Sequence, residues 1–248
     1  MAYEKVTRLF VDGDLAPGLT LELPEGQAHY VTAVLRMKPG ETLALFNGRD
    51  GEFAARLTAA PRRRASVELG ERRRAQRDEG DLWLLFAPVK RARLDYLVEK
   101  AVELGVAEIR PVMTARTVAA RVNLARLKAN MIEAAEQSER LSVPALKPPQ
   151  KLAAALKDWP AGRTLILADE SSASPPIAEA MKSLPPGPCA VLIGPEGGFA
   201  DSELDALKKL PFVLPVGLGP RVLRADTAAL AALAVIQAVA GDWRKQRG

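Results

Sequence analysis

Soft metal ligands are almost missing from this chain. It holds one cysteine, Cys189, and one histidine, His29, among 248 residues. A single cysteine excludes an intrachain disulfide, and the two residues together fall short of a zinc ligand set. Zinc catalysis and a Ser-His-Asp triad lose ground together. No run approaches the ~18 apolar residues of a membrane span, and the opening MAYEKVTRLFVDGD lacks the basic-then-apolar pattern of a signal peptide. The expectation is a cytoplasmic protein with no metal and no membrane partner. Aromatics are only 5% of the chain, which leaves few rings for stacking single-stranded bases.

What remains is a globular balance: 48% hydrophobic and 26% charged residues, with a net charge of +5. The length suits one large domain or two smaller ones. Charge is unevenly spread. Between Arg62 and Arg77 stand seven arginines against Glu68 and Glu71, an excess equal to that of the whole chain. Arginine binds phosphate oxygens in a planar fork and each such contact releases counterions, so the stripe suits a polyanion. A solvated edge strand followed by a linker would have the same composition.

From Tyr3 to about Leu69 the chain reads as short β segments with turn signals. Leu9–Val11 precedes Asp12-Gly13, Thr42–Phe46 precedes Asn47-Gly48, and Glu52–Leu57 follows. Asn-Gly and Asp-Gly favour tight hairpins, which predicts a small antiparallel barrel. Ala28 to Met37 breaks the pattern and predicts a short helix. From Asp81 strands alternate with helices: strands at Leu82–Ala87, Glu108–Met113, Thr164–Ala168, Ala190–Gly194 and Phe212–Val216. The helices predicted between and after them are Arg91–Leu104, Leu124–Arg140, Gln150–Lys157, Ile177–Leu184, Asp201–Leu210 and Ala225–Trp243. Such alternation predicts a mostly parallel sheet covered by helices, with a domain boundary near residues 70–80.

Ligands of an open α/β sheet collect at the carboxyl ends of its strands. Two loops qualify. Gly194-Pro195-Glu196-Gly197-Gly198-Phe199 follows an apolar strand and precedes a helix that Asp201 could cap. It matches neither G-x-G-x-x-G nor a phosphate loop ending in G-K-[ST], which argues against a dinucleotide or ATP. Leu218-Gly219-Pro220-Arg221-Val222-Leu223-Arg224 places two arginines beside a helix N-terminus, where Asp226 or Thr227 could cap. Alanine-rich Ala228–Ile236 suits core or subunit packing. Glu136 and Arg140 fall on one helix face as an i, i+4 pair, most simply a salt bridge. His29 has no assignable acid partner, which favours a structural or RNA-facing role over a general base.

Five blocks in order carry a resemblance over nearly the whole chain: His29–Val31 with Val34–Arg36, Lys100–Val106, Glu133–Ser138, Leu192–Phe199 and Leu218–Ala228. The sequence resembles the RsmE family of 16S rRNA uracil-N3 methyltransferases, of the SPOUT class. The resemblance implies an α/β protein with an N-terminal PUA-like antiparallel β-barrel, residues 1–72, for RNA. A SPOUT methyltransferase domain with a deep trefoil knot, residues 80–248, would follow. It also implies S-adenosylmethionine as cofactor, a homodimer, and the small ribosomal subunit as substrate. Carried over by position, Leu192, Gly194, Glu196 and Gly197 would line one side of the cofactor, and Leu218, Gly219, Leu223 and Arg224 the other. Uracil N3 must lose its proton, with Glu196, Glu136, Arg221 and Arg224 as candidates to accept it or to stabilise the anion. Arg8, His29, Arg36 and the arginine stripe beginning Arg62, Arg63 and Arg64 would hold RNA.

Two departures stand out. Family members usually show Arg-x-Glu-Thr-Ala where this chain has Arg224-Ala225-Asp226-Thr227-Ala228, and Gln-Ser-Gly-Arg where it has Gln137-Ser138-Glu139-Arg140. The first keeps the charge with a shorter reach; the second bears on the loop after the helix. The rival readings are a catalytically dead RNA-binding or assembly factor and a methyltransferase for another RNA.

Overall fold

The computed structural model describes residues 6–60, 64–118, 121–170, 174–185 and 187–244, apart from the side chain of Arg91. The chain separates into two units, Met1–Asp78 with Ala135–Val143, and Glu79–Ala134 with Pro144–Gly248. The excursion of 135–143 into the first unit had no counterpart in the sequence reading.

Short alternating runs build the first unit: β1 (Arg8–Phe10), β2 (Thr20–Glu22), α1 (Glu25–His29), β3 (Thr42–Phe46), β4 (Glu52–Ala59) and β5 (Ser66–Arg74). They form one five-stranded sheet in the order β1-β3-β4-β5-β2. The alternation of β5 puts Val67 and Leu69 into a core with Leu43, Leu45, Leu57 and Val31. The expected antiparallel barrel needs correction. β1 runs parallel to β3, Arg8 against Ala44 through Phe10 against Phe46, so the sheet is mixed. The long intervening connection, with β2 and α1 inside it, lets the chain return in the same direction. Nor is Asn47-Gly48 a tight hairpin. Five residues separate β3 from β4, and the buried Asn47 organises them. Its Nδ2 donates to Gly13 O and Asp50 Oδ2, and its Oδ1 accepts from the Arg49 and Asp50 amides.

The helix predicted at Ala28–Met37 lies earlier. α1 runs on into a π-helical turn, Tyr30–Val34, and stops where Arg36 adopts φ 56°. That left-handed residue ends the helix as a C-cap glycine would.

In the second unit come β6 (Leu82–Phe86), α2 (Arg91–Glu103), β7 (Val106–Met113), α3 (Leu124–Gln137), β8 (Ala145–Leu146), β9 (Gln150–Lys151), α4 (Leu152–Lys157) and β10 (Thr164–Ala168). α5 (Ile177–Lys182), β11 (Cys189–Ile193), α6 (Asp201–Lys208), β12 (Val213–Val216), α7 (Ala225–Val239) and a 3₁₀ turn, Asp242–Arg244, follow. The parallel sheet has the order β12-β10-β11-β6-β7-β8, with β9 also on β7. Five predicted strands and six predicted helices are present, most with ends shifted by one to three residues. α7 stops four residues early, and its tail is the 3₁₀ turn. Leu85, Leu165, Leu167, Ala190 and Leu192 form the sheet's interior, as the apolar runs of a doubly covered parallel sheet require. α7 buries Ala225, Ala228, Ala229, Ala232, Leu233, Ile236 and Gln237, a face of small side chains that allows close packing on α2.

Candidate functional site

Three strand ends share one edge of the parallel sheet. Leu167 of β10 pairs with Leu192 of β11 on one side and with Pro215 of β12 on the other. The loops after β11 and β12 therefore leave the same edge, two strand spacings or about 10 Å apart.

The first loop is shaped by glycine. Gly198 has φ +68°, which an L side chain rarely adopts. A Cβ on Gly194 would stand 2.9 Å from the Phe199 ring, so that glycine permits the ring to close over the strand end. At Gly197 the nearest atom to a Cβ, on Arg116, is 4.0 Å away, leaving open space beside the backbone. Glu196 is exposed and pairs with Arg93 at 2.6 Å. Arg116 Nη1 donates to Gly197 O at 3.0 Å and ties the loop to the segment after β7. Leu192 packs in the core and presents no exposed surface.

α6 is not capped by Asp201. Its N-cap is Ala200, and Glu203 takes the amides of Ala200 and Ala115 on its two carboxylate oxygens. Likewise Asp226 and Thr227 lie inside the first turn of α7, whose N-cap is Arg224. In the second loop Gly219 has φ +101° with nothing within 4 Å of a Cβ, Leu218 and Leu223 are half-buried, and Arg221 and Arg224 are exposed. Asp226 Oδ1 is buried with no hydrogen-bond partner among the described residues. An unsatisfied buried acceptor is costly and suits a ligand that brings a donor.

Sequence reasoning missed the third strand end. At the close of β10, Asp169 is buried and its Oδ2 accepts from Ser174 Oγ and Lys208 Nζ, each at 2.7 Å. Its place right after an apolar strand was the available signal. Missed as well were Arg93 and Arg116, which hold the glycine loop from segments distant in sequence.

The first unit separates the proposed RNA residues. His29, Arg36 and Arg64 are exposed, as are Tyr30, Val34 and Leu35. Arg62 and Arg63 lie outside the described residues. Arg8 requires correction. Its side chain is only 9% exposed and bonds to Glu52 at 2.6 Å; it also donates to the carbonyls of Ala135, Glu136 and Arg140. A guanidinium so committed is a structural tie. Within the stripe Arg74 bonds to Glu52 at 2.6 Å and Arg73 lies 4.0 Å from it, while Arg72 and Arg77 stay exposed.

Burial tends to raise the Glu52 pKa, but hydrogen bonds from Arg74 and Arg8 outweigh it and hold the carboxyl below its ordinary range. Glu136 Oε1 accepts from the Phe10 amide at 2.9 Å, which ties this side chain to β1. α3 ends at Gln137, and Glu139 turns left-handed at φ 60°. Burial pushes the Cys189 thiol up to about 11, which argues against a nucleophile.

Comparison with known proteins follows the same two units. The RNA methyltransferase domain family matches residues 76–237, and the RNA methyltransferase PUA domain family matches residues 23–70. The ribosomal RNA small subunit methyltransferase E of Rickettsia conorii is 33% identical over 94% of this chain and 96% of its own. The corresponding crystal structure from Neisseria gonorrhoeae, bound to S-adenosylmethionine, superposes with a TM-score of 0.88 at 30% identity, covering 96% of this chain and all of that one. A Legionella pneumophila methyltransferase, also solved with that cofactor, gives 0.86 at 32% identity over 95% of this chain and 98% of its own.

Proposed function

The chain belongs to the family of ribosomal RNA small subunit methyltransferase E, and on that premise we propose that it methylates N3 of a uridine in 16S rRNA of the small ribosomal subunit, using S-adenosylmethionine. The observation that carries the reading is the shared sheet edge. It sets two glycine-bearing loops about 10 Å apart on either side of β10, room for an adenosine held by backbone groups. The residues fit the cofactor. Gly194 and Gly197 allow close approach, Gly219 holds the opposite loop in a conformation glycine favours, and the unpartnered Asp226 Oδ1 offers an acceptor to an amino group. The cofactor supplies an activated methyl group on a sulfonium.

The protein's own work is alignment and proton management. Leu218, Gly219, Leu223 and Arg224 hold one side of the cofactor, and Gly194, Glu196 and Gly197 the other, with the buried Leu192 packed behind them. Arg221 and Arg224 carry exposed positive charge at the strand-end edge and stabilise uracil as its N3 proton leaves. Glu196, bound to Arg93, accepts a hydrogen bond and fixes the loop. His29, Arg36 and Arg64 of a PUA-like RNA domain spanning residues 1–72 hold the ribosomal RNA by its backbone.

The finer architecture belongs to the same reading: a SPOUT domain over residues 80–248, a deep trefoil knot and a homodimer. The chain after β12 supports the first two by returning against the segment after β10, with Gly217 N donating to Pro175 O at 2.8 Å and Ile177 N to Gly217 O at 3.1 Å. The half-buried Leu230, Ala234 and Val235 on α7 are available for a second copy. Among the described residues no helix is long and apolar enough to cross a membrane.

Calorimetric titration with S-adenosylmethionine tests the site. Saturable binding is expected for the wild type and at least a tenfold loss for Gly197→Asp, which open space at that position lets fold. Equal affinities in the two proteins would sink the assignment, and nucleoside mapping of treated subunits would identify the methylated uridine.

A further inference from the structure

One buried carboxylate stands outside the proposed chemistry, at the end of β10. Taking a carboxylate out of water is costly unless charge and hydrogen bonds compensate it, so the residue calls for a reason. The side chain of Asp169 is only 3% exposed, which keeps it from touching a bound ligand. Its Oδ2 accepts from Ser174 Oγ and from Lys208 Nζ, each at 2.7 Å. Lys208 is the last residue of α6, and its ammonium supplies the counter-charge that a buried carboxylate requires.

Ser174 leads to a place where two stretches of chain meet. Gly217 N donates to Pro175 O at 2.8 Å, Ile177 N donates to Gly217 O at 3.1 Å, and Pro176 bridges to Gly217 in parallel. The approach is close: a Cβ on Gly217 would stand 3.3 Å from Ser174 O. Asp169 also holds the residue before that glycine, because its amide donates to Val216 O at 2.9 Å. The contacts close a ring that runs from Asp169 through Ser174 and Gly217 to Val216 and back. Directly after Gly217 come Leu218 and Gly219, and Gly219 has nothing within 4 Å of a Cβ to hold it by packing. The course of that loop is therefore set where it leaves the ring.

We propose that Asp169 is a positioning residue for the cofactor: with Ser174 and Lys208 it fixes Gly217, and through Gly217 the loop at Leu218 and Gly219 that holds one side of S-adenosylmethionine. The proposal rests on the methyltransferase reading and deepens it. β10 lies between β11 and β12, so its end is the place from which one side chain can reach both flanks of the site. One arm of the carboxylate goes to the chain against Gly217, the other to α6, the helix that follows the glycine loop. A site held mainly by backbone groups depends on such support, because displacement of the main chain moves every contact at once.

The test uses the full chain, with calorimetric titration of S-adenosylmethionine and steady-state methylation of small ribosomal subunits lacking the modification. Ser174→Ala removes one hydroxyl and leaves the main-chain bonds at Gly217 in place, and Lys208 lies at the surface, so Ser174→Ala and Lys208→Met should both fold. Each should raise Kd and KM for the cofactor at least about tenfold, and Asp169→Asn should do the same. kcat at saturating cofactor should fall less than about threefold, because bound cofactor itself restores the loop, and KM for subunits should stay within about twofold. Lys208→Arg keeps the charge and should recover most of the affinity. A lower urea midpoint with wild-type cofactor Kd and KM in Ser174→Ala and Lys208→Met would overturn the proposal, by making the cluster a tie for stability alone. A rise in KM for subunits as large as that for cofactor would overturn it as well. A wild-type protein that neither binds cofactor nor methylates subunits would instead defeat the methyltransferase reading and the proposal with it.

Discussion

Glu52 sits almost out of reach of water with Arg8 and Arg74 hydrogen-bonded to one carboxylate. Removing the charge from such a pair leaves two cations without their counter-charge, at a cost of about 3–5 kcal/mol. Glu52→Gln should lower stability by about 3 kcal/mol in urea denaturation at pH 7. The pH dependence has a definite sign. Because the folded carboxyl titrates below its ordinary range, its contribution is complete above the unfolded value and is lost as pH falls through the folded one. The gap between wild type and Glu52→Gln should therefore shrink on acidification from pH 7 toward pH 3, and a gap that widens would refute the assignment. No pattern in the sequence announced this cluster. Arg8 and Glu52 are 44 positions apart, and Arg8 read as a surface cation because its burial depends on chain packed against it from Ala135 to Arg140.

At the scale of elements, the departure Gln137-Ser138-Glu139-Arg140 finds its physical meaning. The family's glycine position carries Glu139, and here it adopts φ 60°. A left-handed conformation costs a non-glycine residue roughly 1–2 kcal/mol, partly offset by the extra freedom of glycine in the unfolded chain. Glu139→Gly should thus stabilise the protein by up to about 1 kcal/mol, read as a higher urea midpoint with an unchanged slope. The alternating β and α pattern of the second unit was readable because each apolar run is buried on both faces and each helix has its own stripe. The first unit was harder to read. β5 was masked by its arginines, and the parallel β1–β3 pairing depends on a long-range return that no local turn signal encodes.

For the molecule as a whole, ligand linkage gives the broadest test. At a hundredfold excess over its Kd, a ligand that binds only the folded state contributes about 2.7 kcal/mol. In a unit of this size that should raise Tm by about 5–10 °C. Differential scanning calorimetry with and without S-adenosylmethionine should show the shift in wild type and little or none in Gly197→Asp. An equal shift in both would place the cofactor elsewhere.

The sequence by itself determined that there are two textures of chain, that the second is an α/β sheet with glycine-bearing loops at strand ends, and which family the motifs resemble. These follow from local periodicity and from short blocks whose meaning travels with them. Only the tertiary structure decided that Arg8 and Glu136 are internal ties, that Arg93 and Arg116 hold the glycine loop, and that Asp169 joins the segment after β10 to α6. Each of these depends on which strands become neighbours, and strand order is set by packing across the whole sheet, beyond the reach of any window of sequence.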